Sequence, residues 1–278
     1  MPIQNYLPTL ARFLAVAGGI GLTMAVTYAV LRALGLRGEA ATGYALITPW
    51  VLGFLIWTAF PIFASLYLSF TNYNVIQPPT WIGLQNYIRI FTKDIDFWPA
   101  IRITVLYAFF SVPLGIAGSL MVAILLNTNI RGLGVYRTIY YLPSILPAVA
   151  TALLWRWLFN PDAGLLNNLL RPILRLFDLP PPNWFGDPPY VLPAFILISL
   201  WGIAGSNMVI FLAALKNVPR HLYEAAEIDG ANAWARFWSV TLPMITPVIF
   251  LQLVMGIIGA LQIFTVAAFI RATPAAGK

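Results

Sequence analysis

Six apolar runs, each long enough to cross a bilayer as a helix, dominate the sequence and restrict its fold more than any other feature. A spanning helix needs roughly 20 predominantly apolar residues. The strict alternation of apolar and polar residues that marks membrane β-barrels is absent. The sequence therefore predicts an all-α integral membrane protein, a polytopic bundle with six spans at about 13–31, 44–70, 103–126, 138–155, 190–215 and 244–270.

Composition supports the same class. Hydrophobic residues make up 60% of the chain and charged residues 9%, whereas soluble domains carry about 25% charged residues. The basic residues behind the net charge of +7 are scattered singly, as in membrane-protein loops, and do not form a nucleic-acid-binding patch. Because the chain has no cysteine and a single histidine, His221, we expect no metal site and no disulfide.

Proline occurs inside five of the six predicted spans. Membrane helices tolerate proline where neighbouring helices or water satisfy the freed carbonyl groups. The pattern therefore predicts simple kinks or, alternatively, a broken helix that lines a pathway, at Pro49, Pro61, Pro113, Pro143, Pro147, Pro193 and Pro247.

Alternation of the spans divides the connections into two sets. The connections 32–43, 128–137 and 216–243 lie on one face, and the long connections 71–102 and 156–189 lie on the other with both termini. Lys and Arg normally concentrate on the cytoplasmic side. Here the first face carries seven and the second carries nine, so the charge count does not fix the orientation.

The connection 216–243 gathers acids that are rare elsewhere. Glu224, Glu227 and Asp229 lie within six residues, although the whole chain has nine acids. Good helix formers follow Pro219, and Gly230 suits the position just after a helix. We therefore predict a helix up to Asp229, a glycine turn, and a second short helix over about 232–240 with Trp234, Phe237 and Trp238 on one face.

The spacing in this connection resembles the EAA loop of bacterial ABC-importer permeases. The family pattern is E-A-A, three residues, Gly, nine residues, Ile, one residue, Leu-Pro. The chain matches it with Glu224-Ala225-Ala226, Gly230 and Leu242-Pro243, and only Val240 departs from it. The segments WIGLQNY (81–87) and WRWLFNPDAGLLN (155–167) resemble the external loops of sugar permeases. Over about 44–270 the chain resembles the carbohydrate-uptake group that includes the maltose and glycerol-3-phosphate permeases.

The resemblance implies a type I importer permease at the plasma (inner) membrane of a bacterium or archaeon. Its domain would cover 44–278, with 1–43 an additional span and connector. Because family members continue past Ile270 with one more helix, we expect that the last helix is missing here. The resemblance also implies a second permease chain in a heterodimer, two ATP-binding cassette subunits and an extracytoplasmic solute-binding protein. The chain has no phosphate-binding loop for ATP and needs no cofactor of its own.

The resemblance also assigns roles to residues. The connection 216–243 would be cytoplasmic and dock on an ATPase, which places both termini outside. The expected docking residues are Glu224, Ala225, Ala226, Asp229, Gly230, Leu242 and Pro243. Polar and aromatic groups inside spans favour a sugar path, although interhelical hydrogen bonds explain them equally well; the candidates are Trp201, Ser206, Asn207, Gln252 and Gln262.

Two other classes of protein stay open at this point. A membrane-embedded glycosyltransferase-like enzyme would use grouped carboxylates, for which the D-x-D of Asp94 and Asp96 is a second candidate. An ion-coupled secondary transporter would carry acids inside its spans, and the six predicted spans contain none. We expect no catalytic residue and no enzymatic activity.

Overall fold

The computed structural model describes residues 7–128 and 131–263. Contacts divide the chain into two compact units, Met1–Asp94 and Ile95–Lys278. Helices dominate both units. Within the described residues, four helices are long and apolar enough to cross a membrane, and six crossings result if each of two bent helix pairs is one span. The all-α membrane fold predicted from the apolar runs is therefore confirmed.

The first unit contains two long apolar helical stretches, followed by a short hairpin-and-helix segment (residues 71–93). Helix α1 (Leu7–Ala33) packs against α2 (Gly38–Phe54), which continues through a π-helical turn (Leu55–Ala59) into α3 (Phe60–Ser69). A short antiparallel hairpin follows, formed by β1 (Thr71–Asn72) and β2 (Thr80–Trp81), and then α4 (Gln85–Lys93).

Side chains of α4 connect this hairpin-and-helix segment to the end of α3. The amide of Asn86 donates to the carbonyl oxygens of Ser69 and Thr71, each at 2.9 Å. The hydroxyl of Tyr87 lies 2.6 Å from that of Ser69.

The second unit is a bundle built around three helices. Helix α5 (Phe97–Leu126) packs against α9 (Pro188–Lys216), and both contact α12 (Leu242–Leu261). Phe211 and Met208 of α9 and Ile245 of α12 are almost fully buried in the largest apolar cluster. The remaining helices are α6 (Leu133–Ile145), α7 (Ala148–Leu158), α8 (Leu165–Leu176), α10 (Arg220–Ile228) and α11 (Ala233–Arg236).

The fourth predicted span, 138–155, is wrong as a single helix. The structure has α6 and α7 there, meeting at 98°. Leu146 is extended, at φ −67° and ψ 133°, and Pro147 has ψ 142°. Proline disfavours the helical conformation in the residue before it and supplies no N–H to the preceding turn, so the helix ends here. Of the two interpretations of proline in spans, a break applies at this position.

The fifth and sixth predicted spans are found with different limits. Helix α9 is bent by 49° between Pro188–Gly202 and Gly205–Lys216. Helix α12 ends at Leu261. The predicted continuation to Ile270 and the expectation about a missing last helix lie outside the described residues.

A π-helical turn precedes a proline in each unit. The first covers Leu55–Ala59 before Pro61, and the second covers Phe237–Thr241 before Pro243. Proline cannot donate the usual hydrogen bond to the residue four positions earlier and its ring crowds that carbonyl. A local π turn relieves the conflict and lets the helix continue. The chain therefore passes from α11 through α12 without a break, as one helical rod over Ala233–Leu261.

Candidate functional site

The acidic connection forms an elbow of two helices, which we call the elbow (residues 219–241). Helix α10 begins directly after Pro219 and ends at Ile228. Gly230 has φ +78°, a left-handed conformation that glycine adopts without strain. The N–H of Ala231 donates to Ala226 O at 2.9 Å, and the N–H of Gly230 donates to Glu227 O at 3.0 Å. This pair of bonds is the Schellman arrangement, so Gly230 ends the helix at the position that its sequence predicts.

The second arm of the elbow starts at a side-chain cap. The Asn232 Oδ1 atom accepts a hydrogen bond from the N–H of Ala235 at 2.8 Å. An asparagine at this position satisfies one of the open N–H groups of the first turn. The arm was predicted to end near Val240; it instead continues through the second π turn into α12. The elbow therefore has one short arm and one arm that is the start of a membrane-length helix.

Two side-chain contacts join the arms. The Tyr223 hydroxyl lies 2.9 Å from that of Thr241, and Thr241 is buried in the second π turn. Glu227 forms an ion pair with Arg236. These contacts tie the acidic helix to the rod, so a displacement of α10 acts directly on the rod.

The predicted docking residues separate into two groups. Glu224, Ala225, Asp229 and Gly230 are exposed on the short arm, with Ala226 half-buried beside them. Leu242 and Pro243 lie in the first turn of α12, nine or ten residues beyond the start of α11 and therefore about 14 Å along the rod. The structure thus brings five of the seven residues together on the short arm. The other two, Leu242 and Pro243, lie apart from them, just after the second π turn.

One exposed residue of the elbow was missed by the sequence reasoning. Ile228 is 88% exposed at the tip, between the acidic residues Glu227 and Asp229. Single exposed apolar residues are common on protein surfaces, so the sequence alone carried no clear signal for Ile228.

A cavity of about 250 Å³ lies behind the elbow. Its wall combines Tyr223 and Arg236 with Asn127, which follows the end of α5, and Leu215 of α9. The short arm is therefore not packed solidly against the bundle, and there is room for it to move.

A larger cavity of about 380 Å³ lies between α5, α7, α9 and α12. This volume falls in the range of small-molecule sites. Among the described residues that line it, there is no acidic or basic side chain. Its polar lining consists of neutral groups: Tyr107, Ser111, Thr151, Ser199, Ser206, Asn207 and Gln252.

Gln252 holds a distinctive place in this cavity. Its side chain is 4% exposed, and no described residue accepts a hydrogen bond from its Nε2 atom. A buried amide without partners costs free energy comparable to a lost hydrogen bond. The orphaned donor is therefore available to a ligand or to water inside the cavity.

The predicted path residues are only partly brought together. Ser206, Asn207 and Gln252 line the same cavity. Trp201 does not line it but packs edge-on against Trp155 with ring centroids 5.7 Å apart. Gln262 is exposed just after the end of α12.

Three polar residues that line the cavity, Ser111, Thr151 and Ser199, were not predicted from the sequence. Thr151 reaches the cavity because the chain turns sharply at Pro147, where the sequence predicted either a kink or a break without its angle. Ser199 lies three residues before Gly202, which also lines the cavity; a serine in the middle of an apolar span carried a usable signal.

Close helix packing surrounds the cavity. A methyl group added at Gly256 would lie 2.8 Å from Val112 Cγ1, and one at Gly205 would lie 2.8 Å from the Ser144 side chain. Small residues allow membrane helices to approach closely. These two glycines therefore set the distances of α12 from α5 and of α9 from α6.

The fold and the site define a class: a multi-pass helical membrane protein with a polar internal cavity and an exposed elbow. The model of the family "Binding-protein-dependent transport system inner membrane component" matches residues 115–278. The chain therefore belongs to this family, the permeases of ABC transporters. Membership in a transport family does not favour the glycosyltransferase-like or ion-coupled alternatives.

Relatives and solved structures agree with this family. The chain is 42% identical over 246 residues to a probable ABC transporter permease protein, YesP, of Bacillus subtilis, covering 86% of this chain and 76% of that protein. It is 33% identical over 229 residues to the trehalose/maltose transport system permease protein MalF of Thermococcus litoralis, covering 82% and 76%.

Among solved structures, the fold is similar to a crystal structure of a bacterial ABC transporter involved in the import of the acidic polysaccharide alginate. The TM-score is 0.69 at 27% identity, covering 83% of this chain and 77% of that one. A second structure of the alginate transporter, in complex with an alginate pentasaccharide-bound periplasmic protein, matches with a TM-score of 0.68 at 26% identity, covering 83% and 76%.

Proposed function

We propose that this chain is one of two permease chains of an ATP-driven importer for a neutral sugar or polyol. The elbow docks on one of two ATP-binding cassette subunits, and an extracytoplasmic binding protein delivers the solute. The cavity between α5, α7, α9 and α12 is the solute path. The permease domain proper covers 44–278, with 1–43 as an additional span, and the chain itself catalyses no reaction.

One observation carries the proposal. The rod Ala233–Leu261 starts in the elbow and carries Gln252 into the cavity, about 28 Å further along its axis. A helix without a break transmits a push at one end to groups at the other. Closure of the ATPase pair would move the elbow, and α12 would shift Gln252 and Gly256 relative to α5 and α9. This is the geometry that alternating access requires.

The neutral lining supports an uncharged solute. Hydroxyl and amide groups on a largely apolar wall suit sugar hydroxyls. An acidic sugar would bury its carboxylate without a basic partner among the described lining residues, which is costly. The trehalose/maltose permease is one relative named for neutral sugars, whereas the alginate transporter imports an acidic polysaccharide.

Docking also requires the elbow to be cytoplasmic, which would place the β1–β2 hairpin and the connection 156–189 outside. Since the chain has no cysteine, single cysteines test this cleanly. Glu224→Cys should react with a membrane-impermeant maleimide only after cells are permeabilised, and Val75→Cys should react in intact cells. The reverse pattern would contradict the orientation.

The experiment for the function uses the complete transporter in proteoliposomes, with the binding protein and ATP supplied. Neutral disaccharides and their uronic-acid counterparts are compared as competitors of uptake. The proposal requires that neutral sugars compete and that Gln252→Met lowers uptake while ATPase subunits still co-purify. Competition by uronic acids alone would refute the neutral-solute assignment, and ATP-independent uptake would refute the coupling.

A further inference from the structure

Helix α8 (Leu165–Leu176) has three different faces. Its inner face packs on the bundle, where Leu166 and Leu170 contact the buried aromatic cluster of Phe159 and Trp184. The same cluster includes Ile198 of α9, which also lines the central cavity. The inner face of α8 therefore supports one wall of the cavity.

The orientation of α8 is fixed by a buried asparagine. The Asn167 side chain is fully buried; its Nδ2 atom donates to the carbonyl oxygens of Pro161 and Pro182, each at 3.0 Å. Its Oδ1 atom accepts a hydrogen bond from Trp184 Nε1 at 2.8 Å. Because every hydrogen-bonding group of this amide has a partner, rotation of α8 would break three bonds. These bonds therefore fix which side of α8 faces the bundle and which side is exposed.

The outer face is a stripe of aliphatic residues. Leu165, Leu169, Ile173 and Leu176 are spaced by four, four and three residues, which places them on one side of the helix. Their exposed fractions run from 50% to 80%. Helical spacing places the centre of this stripe about a quarter turn from the bundle-facing Leu166 and Leu170, and the described residues leave the stripe largely exposed.

The third face is basic. Arg171 and Arg175 follow one another at one helical turn along one edge of the stripe, where Asn168 is also exposed. The Arg171 Nη2 atom donates to Asp162 O at 2.7 Å, which holds that guanidinium near the start of the helix. Helices that lie in the plane of a bilayer combine an aliphatic face with a basic polar edge of this kind.

The length of α8 and its proline limit how deep the helix can lie in a bilayer. Twelve residues extend about 18 Å, too short for a bilayer core of about 30 Å. Pro172 has no N–H, so the carbonyl of Asn168 lacks the usual intrahelical donor. Such a carbonyl needs water or a headgroup and is too costly in the hydrocarbon centre. The helix therefore fits the level of the lipid headgroups.

We propose that α8 lies in the bilayer interface, with its aliphatic stripe among the lipid acyl chains and its Arg171–Arg175 edge at lipid phosphate groups. The occupant of the stripe is lipid rather than protein, because the basic edge complements phosphate and α8 packs on a bundle whose long apolar helices are of membrane-spanning length. Through the Phe159–Trp184 cluster, this contact anchors the α9 wall of the cavity to the membrane surface.

Single-cysteine probes on the cysteine-free chain test the proposal. Leu169→Cys lies in the stripe, and Asn168→Cys is the matched control one residue away on the polar side. Each purified full-length variant is labelled with a small fluorophore and then assembled with its partner subunits in phospholipid nanodiscs. A nitroxide on the upper acyl chain should quench the label at 169, and aqueous iodide should quench the label at 168.

Two outcomes overturn the lipid contact. Iodide quenching at 169 as strong as at 168 would mean that water covers the stripe. Protection of 169 from both quenchers would mean that a protein covers it, such as the second permease chain. Both outcomes leave the transport function standing, because sugar uptake is measured separately.

A second experiment tests the contact of the arginines with lipid phosphate. Nanodiscs of a galactosyl diacylglycerol present the same acyl chains without phosphate, and Arg175→Gln removes one guanidinium in phospholipid. Each change should increase iodide quenching at 169 relative to the unchanged chain in phospholipid. If neither change does so, the arginines do not bind lipid phosphate and that part of the proposal is wrong.

Discussion

The hydroxyl groups of Tyr223 and Thr241 lie 2.9 Å apart, joining the short acidic arm of the elbow to the rod that reaches the cavity. Tyr223 belongs to α10, and Thr241 ends the second π turn, which exists because Pro243 interrupts the regular hydrogen-bond ladder. The bond therefore sits where a push on the elbow would enter α12.

Tyr223→Phe should loosen this link and separate ATP hydrolysis from transport. One net hydrogen bond contributes about 1 kcal/mol, which sets an upper limit of roughly fivefold on the loss of uptake per ATP. Uptake and ATPase rates are measured together in proteoliposomes. Ser239→Ala is the control, since that hydroxyl bonds only to Ala235 O in its own helix. An unchanged ratio in Tyr223→Phe would show that the bond plays no part in coupling.

The elbow was largely predictable from the sequence because its signals are local. Gly230, Asn232 and the short run of helix formers act within a few residues, and the structure has the turn where they place it. The continuation into α12 was not predictable from the same stretch, since a proline such as Pro243 normally predicts a boundary between two helices. Whether a proline ends a helix or is accommodated by a π turn depends also on neighbouring helices, which local spacing does not reveal.

The cavity was predictable only in part. Ser206, Asn207 and Gln252 were singled out as polar groups at membrane depth, and they meet in one place. Thr151 was missed because its position depends on the 98° turn at Pro147, and Trp201 was included because an aromatic ring in a span does not indicate which way it faces. Helix rotation and interhelical angles are tertiary quantities, which hydropathy does not encode.

Gly230→Pro should abolish transport, whereas Gly230→Asn should retain much of it. Proline is restricted to negative φ and cannot adopt the +78° of this turn, but asparagine tolerates the left-handed region. Gly230→Ala should fall between them, at a cost of about 1 kcal/mol in the elbow. Uptake is measured with binding-protein affinity for sugar as the control. Equal uptake by the Pro and Asn variants would contradict the role of this turn.

Ile228→Asp should weaken recovery of the ATPase subunits much more than Glu227→Gln. Ile228 is 88% exposed and would enter a partner's groove, while Glu227 and Arg236 form a partly exposed ion pair within the elbow. Exposed pairs contribute only about 0.2–1 kcal/mol. Co-purification of the ATPase on a tagged permease measures both. Comparable losses for the two variants would argue that general distortion of the elbow, and not the tip, is responsible.

Gly256→Ala should destabilise the bundle, and Val112→Ala should restore it. The added methyl group would lie 2.8 Å from Val112 Cγ1, so the helices must separate. Overpacking of this kind typically costs about 1–3 kcal/mol. Thermal unfolding in detergent compares the two single variants with the double variant. Gly259→Ala is the control, because nothing lies within 4 Å of the added group. Additive losses in the double variant would mean that the two positions do not touch.

Gln252→Met should change stability and transport in opposite directions. The buried Nε2 atom has no acceptor among the described residues, so replacing the amide with an apolar chain of similar length removes a desolvation cost of about 1–3 kcal/mol. The same change removes a donor from the cavity and should lower uptake. Thermal unfolding and sugar uptake are measured on the same preparation, with the exposed Gln262→Met as control. A loss of stability together with normal uptake would mean that Gln252 serves helix packing and not the solute path.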